Sequence, residues 1–205
     1  MNQSEVVYYL QKKLLFSSNA INKLRLFHDL LIGYNKNYNL ISKNTENKVW
    51  FRHILDSAQI IPLFKHSEGL KVGDLGSGAG FPGVVLAIFD ENNKFHVKLY
   101  EKSPVKREFL MQIKSKLKLK FDIEDNVYKG IISDNLIIAR AFKKLEEIFN
   151  ISREIINKPH KMIILKGKNA QNEINNLSLK RNYSYNLIDS ITDIDSKIII
   201  VDVKL

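Results

Sequence analysis

An acid and a run of alternating glycines carry the densest chemical signal in this chain. Residues 72 to 83 read Val-Gly-Asp-Leu-Gly-Ser-Gly-Ala-Gly-Phe-Pro-Gly. Gly76, Gly78 and Gly80 let the backbone turn sharply and let a ligand approach where a Cβ would collide. Asp74 stands two residues before the first of them, where a carboxylate suits a cationic ligand group and repels a pyrophosphate. Pro82 removes one N–H donor from the start of the next helix, which a phosphate would otherwise use. Both features point to S-adenosylmethionine rather than a dinucleotide. A ligand-free surface turn is the plainer alternative, and the apolar helix that follows (Val84, Val85, Leu86, Ala87, Ile88) argues against it.

A nucleoside cofactor calls for an acid after the next strand, to meet the ribose hydroxyls. Phe95, Val97 and Leu99 alternate as a short strand, and Glu101 follows about 25 residues past Gly76, a little beyond the ~20-residue spacing of dinucleotide folds. A second reading stays open, because an acid at the start of the helical segment 102 to 117 is also ordinary helix electrostatics.

The elements that must position these residues change character along the chain. Residues 1 to 68 read as a helical extension: Ser4 is expected to cap one helix, Asn19 a second through Tyr34, and Thr45 a third through Phe51, Ile54 and Ala58. From 69 to 205 strands and helices alternate. Strands are expected at 70 to 74, 95 to 100, 120 to 124, 135 to 139 and 161 to 166, with helices at 82 to 89, 103 to 118, 143 to 156 and 168 to 177. Two further strands near 182 to 190 and 196 to 203 have no helix between them. The reading is a doubly wound α/β sheet ending in an antiparallel edge hairpin.

Composition narrows the classes. No cysteine is present among the 205 residues, so disulfides, thiolate metal sites and cysteine nucleophiles are excluded. No apolar run approaches the ~18 residues of a membrane span, and no metal-ligand spacing stands out; a cytoplasmic, monomeric protein is expected. Lys plus Arg number 32 against 22 Asp plus Glu, a net +10, which favours a polyanionic partner such as RNA. A Lys- and Asn-rich composition gives the same charge on a merely solvated surface.

Several further segments share a family pattern. Tyr38-Asn39-Leu40, Arg52-His53-Ile54-Leu55-Asp56-Ser57, the glycine loop, Ile138-Ala139-Arg140-Ala141-Phe142 and Leu165-Lys166-Gly167 occur in the order seen in the RsmG (GidB) family, which the chain resembles over nearly its whole length. The Arg-His-x-x-Asp-Ser element is the specific part of that resemblance. It implies a class I S-adenosylmethionine-dependent methyltransferase with a Rossmann-like fold, acting on guanine N7 in the 530 loop of 16S ribosomal RNA, either free or in the small ribosomal subunit. It also implies cofactor contacts at Gly76, Phe81, Val127, Tyr128 and Arg140. Two departures are visible: Asn126-Val127-Tyr128 carries no carboxylate where relatives have one, and Ala139 stands where a Ser is usual.

Elimination leads to the same acceptor. Methylating pyrimidine C5 generally needs a cysteine, and exocyclic amines are commonly served by an Asn/Asp-Pro-Pro-Tyr loop; the four prolines (62, 82, 104, 159) form none. Guanine N7 has a lone pair and no proton, so positioning suffices. Arg52, Arg140 and Lys166 are candidate donors to the base or its phosphates, and His53 a candidate orienting donor. Arg52 and Asp56, four apart, could equally form an exposed helical ion pair. A ribose 2′-hydroxyl methyltransferase using Lys166, and an NAD-dependent oxidoreductase, are the alternatives.

Overall fold

A computed structural model describes residues 1–128, 133–177 and 183–204. The strands β1 (Leu70–Leu75), β2 (Phe95–Tyr100), β3 (Phe121–Glu124), β4 (Leu136–Arg140), β5 (His160–Lys166), β6 (Tyr183–Asp189) and β7 (Lys197–Val203) form one sheet in the order β3-β2-β1-β4-β5-β7-β6. The first five strands run parallel, with Asp74 beside Leu99 on one side and Ile138 on the other. β7 is antiparallel to both β5 and β6, so the expected edge hairpin is present. Because the chain builds outward from β1 to β3 and then returns to β4, the strand order reverses between β1 and β4. That is where such sheets leave a crevice at their carboxyl ends.

The two faces of the sheet are covered differently. Helices α4 (Gly83–Phe89) and α5 (Pro104–Lys116) lie with the N-terminal helices on one face; α6 (Leu145–Ile155) and α7 (Ala170–Asn175) lie on the other. Alternation divides β4 accordingly, Ile138 packing on the first side and Ile137 on the second. On the first side one apolar cluster runs without a break from Val6 and Leu10 through Leu24 and Phe27 to Val84, Phe109 and Val72. Phe27 of the N-terminal helices reaches the sheet-forming part of the chain, with its ring 5.2 Å from that of Phe81 and 6.4 Å from that of Phe109. Each such fully buried side chain contributes about 1.5–3 kcal/mol, so the N-terminal helices are fixed to the sheet rather than tethered beside it.

The N-terminal helices start earlier than their composition suggests. Helix α1 (Gln3–Lys13) is capped by Asn2, not Ser4: its side chain accepts from the Glu5 N–H at 3.0 Å while Glu5 accepts from the Asn2 N–H at 2.7 Å, a reciprocal capping box. Helix α2 (Ser18–Tyr38) is capped by Ser17, whose Oγ accepts from the Ala20 N–H at 2.9 Å; Asn19 instead donates to Glu91. In each case a polar residue two positions upstream won the cap, because its side chain reaches the first free N–H groups of the helix.

The third expected helix departs most. Thr45 sits inside a 3₁₀ segment (Lys43–Lys48), and Trp50–Leu55 forms a π-helical stretch that continues into the short α3 (Asp56–Ala58). A π segment bonds i to i+5, so residues four apart no longer share a face as they do in an α-helix. The exposed Arg52–Asp56 pair, the alternative reading of these residues, is accordingly absent; the two residues turn to different partners.

Candidate active site

A cavity of about 590 Å³ opens at the β1/β4 crevice, within the size range of small-molecule sites. Gly76, Gly78, Phe81, Glu101, Val127, Tyr128 and Arg140 all line it, together with His53. The glycines act in distinct ways. Gly76 has φ +74° and a Cβ there would lie 2.2 Å from the Phe142 ring, so its absence makes room for a protein side chain. Gly78, at φ +58°, faces open cavity: the nearest atom to its missing Cβ is the Gly76 carbonyl at 3.8 Å. A Cβ at Gly80 (φ +96°) would strike Val84 at 2.5 Å; Gly80 lets the loop pack on α4 and does not line the cavity.

Asp74 is placed differently from the expectation that it faces a ligand. It is fully buried beneath the loop, does not line the cavity, and its Oδ2 accepts from the Gly83 N–H at 3.0 Å. It therefore organises the turn from below. The contact has a second effect, because with Pro82 supplying no N–H and Gly83 giving its own to Asp74, the start of α4 has two fewer donors for a phosphate. Burial pushes the Asp74 carboxyl up to about 7. The folded protein then holds a proton that the unfolded chain releases above pH ~4, so this residue lowers stability progressively from about pH 4 to 7, by up to about 4 kcal/mol. We expect Asp74→Asn to remove that decline: the difference in Tm between variant and parent should grow in the variant's favour as pH rises from 4 to 7 and level off above. Parallel curves would contradict the assignment.

Glu101, the expected ribose acid, lines the cavity at the end of β2. It is buried at the cavity wall, its Oε2 accepting from the Gly78 N–H at 2.8 Å and its Oε1 from the Ser103 N–H at 2.7 Å. A carboxylate has about four acceptor sites, so bracing the loop leaves capacity for hydroxyl donors. On the far wall Val127 is buried and Tyr128 is half exposed, its N–H held by Asn126 Oδ1 at 2.8 Å. Val127 thus offers an apolar contact and Tyr128 an aromatic one, without a carboxylate at Asn126. Open space at Gly78, the acid at Glu101 and the contacts offered by Val127 and Tyr128 fit a nucleoside cofactor.

Arg140 closes the cavity on the β4 side. Its Nε lies 2.8 Å from Asp56 Oδ2, and its Nη2 donates to the Arg52 carbonyl at 2.8 Å and to His53 Nδ1 at 2.9 Å, with the guanidinium 5.7 Å from the Phe81 ring centre. His53 also stacks on Phe81 at 5.0 Å. Thr45 donates its hydroxyl to the Ser42 carbonyl at 2.8 Å, so its oxygen accepts from His53 Nε2–H at 2.9 Å. That leaves Nδ1 as the acceptor for Arg140 and fixes the tautomer. Burial, reinforced by Arg140 and Arg52, lowers the His53 pKa to about 3. Contrary to expectation, His53 has no N–H left for a substrate; it is a neutral prop for Arg140.

Arg52 and Lys166 do not reach this cavity. They line a second one of about 390 Å³, between the carboxyl ends of β4 and β5 and the start of β7, which shares only Arg140 and Ala141 with the first. Arg52 pairs with Asp193 at 2.8 Å. Lys166 pairs with Glu173 at 2.8 Å and donates to the Lys143 carbonyl at 2.8 Å. Asp56 joins the walls: while Oδ2 holds Arg140, Oδ1 accepts from Gln59 at 2.8 Å and from the Thr192 hydroxyl at 2.5 Å. Ala141 sits at φ +49°, an uncommon conformation for a non-glycine residue, and it turns the chain between the cavities. The sequence offered no signal for Glu173, Thr192 or Asp193, which are isolated polar residues brought in by the sheet order.

The fold and this arrangement have clear relatives. The family described as GidB, rRNA small subunit methyltransferase G, matches residues 20–197. The chain is 36% identical over 184 residues to the ribosomal RNA small subunit methyltransferase G of Orientia tsutsugamushi (strain Ikeda), spanning 89% of this chain and 90% of that one. It is 35% identical over 193 residues to the protein of the same name from Bartonella quintana (strain Toulouse), spanning 92% and 88%. Among solved structures, a variant of MtNAS in complex with S-adenosylmethionine matches with a TM-score of 0.62 at 10% identity, over 100% of this chain and 85% of that one. A SAM dependent methyltransferase from Aquifex aeolicus matches with a TM-score of 0.54 at 12% identity, over 73% and 90%; at such identities the likeness is one of fold. With the glycine loop, the Arg140 wall and the edge hairpin in place and two relatives more than a third identical over most of their length, the chain belongs to the GidB family, rRNA small subunit methyltransferase G.

Proposed function

We propose that this protein transfers the methyl group of S-adenosylmethionine to N7 of a guanine in small-subunit ribosomal RNA, in the 530 loop. The observation that carries the choice of atom is the state of the groups where the two cavities meet. His53 is neutral with both nitrogens engaged by the protein, Asp56 is paired with Arg140, and Lys166 is an ammonium bridging Glu173 and the Lys143 carbonyl. None of them is poised to take a proton, and N7 has none to give. Bound in the first cavity, S-adenosylmethionine supplies a sulfonium methyl whose S–C bonding pair leaves with sulfur, so the acceptor needs only a lone pair.

The residues then act by placement. Gly78 leaves the space, Glu101 offers acceptors for ribose hydroxyls, and Arg140, held by three protein partners, forms the wall beside which donor and acceptor meet. Fixing two reactants in line replaces the entropy of a bimolecular encounter and is the largest contribution available to a site without a base. The +10 charge favours an RNA substrate. The ribose alternative would require Lys166 Nζ to reach a hydroxyl proton, and that atom is already engaged by Glu173 and the Lys143 carbonyl.

The product tests the reading directly. Borohydride and aniline treatment cleaves RNA at N7-methylguanosine, so primer extension on RNA modified by the purified protein should stop at one guanine of the 530 loop, with a rate nearly flat from pH 6 to 9. A methyl group on ribose or an exocyclic amine would overturn it, as would a rate that follows one ionisation near neutrality and does so equally in Asp74→Asn.

A further inference from the structure

The geometry points to the second cavity as the guanine-reading pocket, in which the Lys166–Glu173 pair recognises the O6/N1–H edge of the target base; this rests on the N7 reading above. Among the described residues lining it none is aromatic, and its apolar floor is small, formed by Leu165, Ile198 and Ala141. A base held there is identified by its edges rather than by stacking. The order of the polar groups matches guanine rather than adenine, the other base that carries an N7. Lys166 and Glu173 both line only the second cavity, but Lys166 is tied to the carbonyl of Lys143, a residue of the first, and Glu173 to the N–H of Leu145, which lines neither, so Lys166 stands nearer the shared wall. If N7 faces the wall at Arg140 and Ala141, the next atom around the ring is O6, an acceptor, and the next is N1–H, a donor.

A donor followed by an acceptor is what the pair presents. Lys166 Nζ contacts Glu173 Oε2 at 2.8 Å and Oε1 at 3.1 Å, while Oε2 also accepts from the Leu145 N–H at 2.6 Å. The longer Oε1 contact is the replaceable one: O6 accepts from Lys166 in its place, and the freed Oε1 accepts from N1–H. Every hydrogen bond broken is remade, and the charges stay paired. Adenine presents the reverse order, an exocyclic donor and then an unprotonated nitrogen, which leaves an ammonium facing an amine and a carboxylate facing a lone pair. Such unpaired buried groups are the strongest source of discrimination between similar ligands.

The test uses small ribosomal subunits reconstituted with RNA carrying guanosine or 2-aminopurine riboside at the target; the analogue keeps N7 and the 2-amino group but lacks O6 and N1–H. N7 methylation is read as kcat/KM. For the parent enzyme the analogue should be about 10- to 100-fold poorer. Glu173→Gln should lose a similar factor with guanosine and little with 2-aminopurine, because the contact it removes is already missing there. Lys166→Met should behave the same way, and both variants should bind S-adenosylhomocysteine as the parent does, which reports a folded first cavity. Equal losses on both substrates would overturn the proposal, as would an analogue methylated as fast as guanosine. If the methyl group is mapped away from N7, it is the function itself that fails, and that outcome is separate from these ratios.

Discussion

Gly78→Val is expected to abolish cofactor binding while leaving the fold intact. The glycine sits at φ +58° with nothing closer than 3.8 Å to the position of a Cβ, and that empty space is the cavity itself. Valine costs about 1–3 kcal/mol in the left-handed region, which should lower Tm by only several degrees in a chain of this size. Its two methyl groups, however, occupy the cavity volume beside Glu101 in which we propose the cofactor binds, and they strain the Gly78 N–H bond to Glu101. Calorimetry with S-adenosylhomocysteine should show affinity reduced by about 100-fold or more, about 2.8 kcal/mol. Gly76→Ala supplies the contrast: its Cβ would meet Phe142 at 2.2 Å, so the damage falls first on packing and Tm. Near-parental affinity in folded Gly78→Val would place the cofactor elsewhere.

Arg140→Ala should be the most damaging single change to both stability and turnover. It strips Asp56 of a counter-ion in a site where both side chains are less than one-fifth exposed, and it leaves the Arg52 carbonyl and His53 Nδ1 without a donor. Breaking a buried pair costs about 3–5 kcal/mol; at this partial exposure about 2–4 is expected, a fall in Tm of about 5–15 °C. Turnover should fall by 100-fold or more, since the wall shared by the two cavities is lost. Arg140→Lys should recover little, because an ammonium cannot serve three partners in a planar fork. The two effects separate in the double variant Arg140→Ala with Asp56→Ala: removing the orphaned carboxylate should restore part of the Tm and none of the activity. A double variant less stable than either single one would show that Asp56 acts mainly through Gln59 and Thr192 rather than through Arg140.

Much of this site is legible in the chain because its parts are local. The alternation of Gly76, Gly78 and Gly80 after an apolar strand, the proline at the following helix and the acid after the next strand each follow from backbone geometry within a few residues. The strand and helix boundaries from Leu70 onward fall within about two residues of the expected ones for the same reason. The edge hairpin is announced by two strand patterns with no helix between them. Where local competition is close the reading slips: Ser4 and Asn19 are good cap residues, yet Asn2 and Ser17 are equally good and better placed.

What the sequence by itself determined is therefore the sheet, the loop and the chemical class of the ligand, since period-two alternation, glycine torsions and a missing proline N–H are properties of short segments. Tertiary structure decided which way the charged residues face. Asp74 reads as a ligand contact until the burial of its side chain and the Gly83 N–H turn it beneath the loop. Arg52 and Asp56, four apart, leave an exposed helical pair open as an alternative until the π segment separates them and delivers Asp56 to Arg140, 84 positions away, and Arg52 to Asp193, 141 positions away. A carboxylate finds its cation by distance in space, and only the order β1-β4-β5-β7 of the folded sheet brings the π segment, the end of β4 and the edge hairpin into one site.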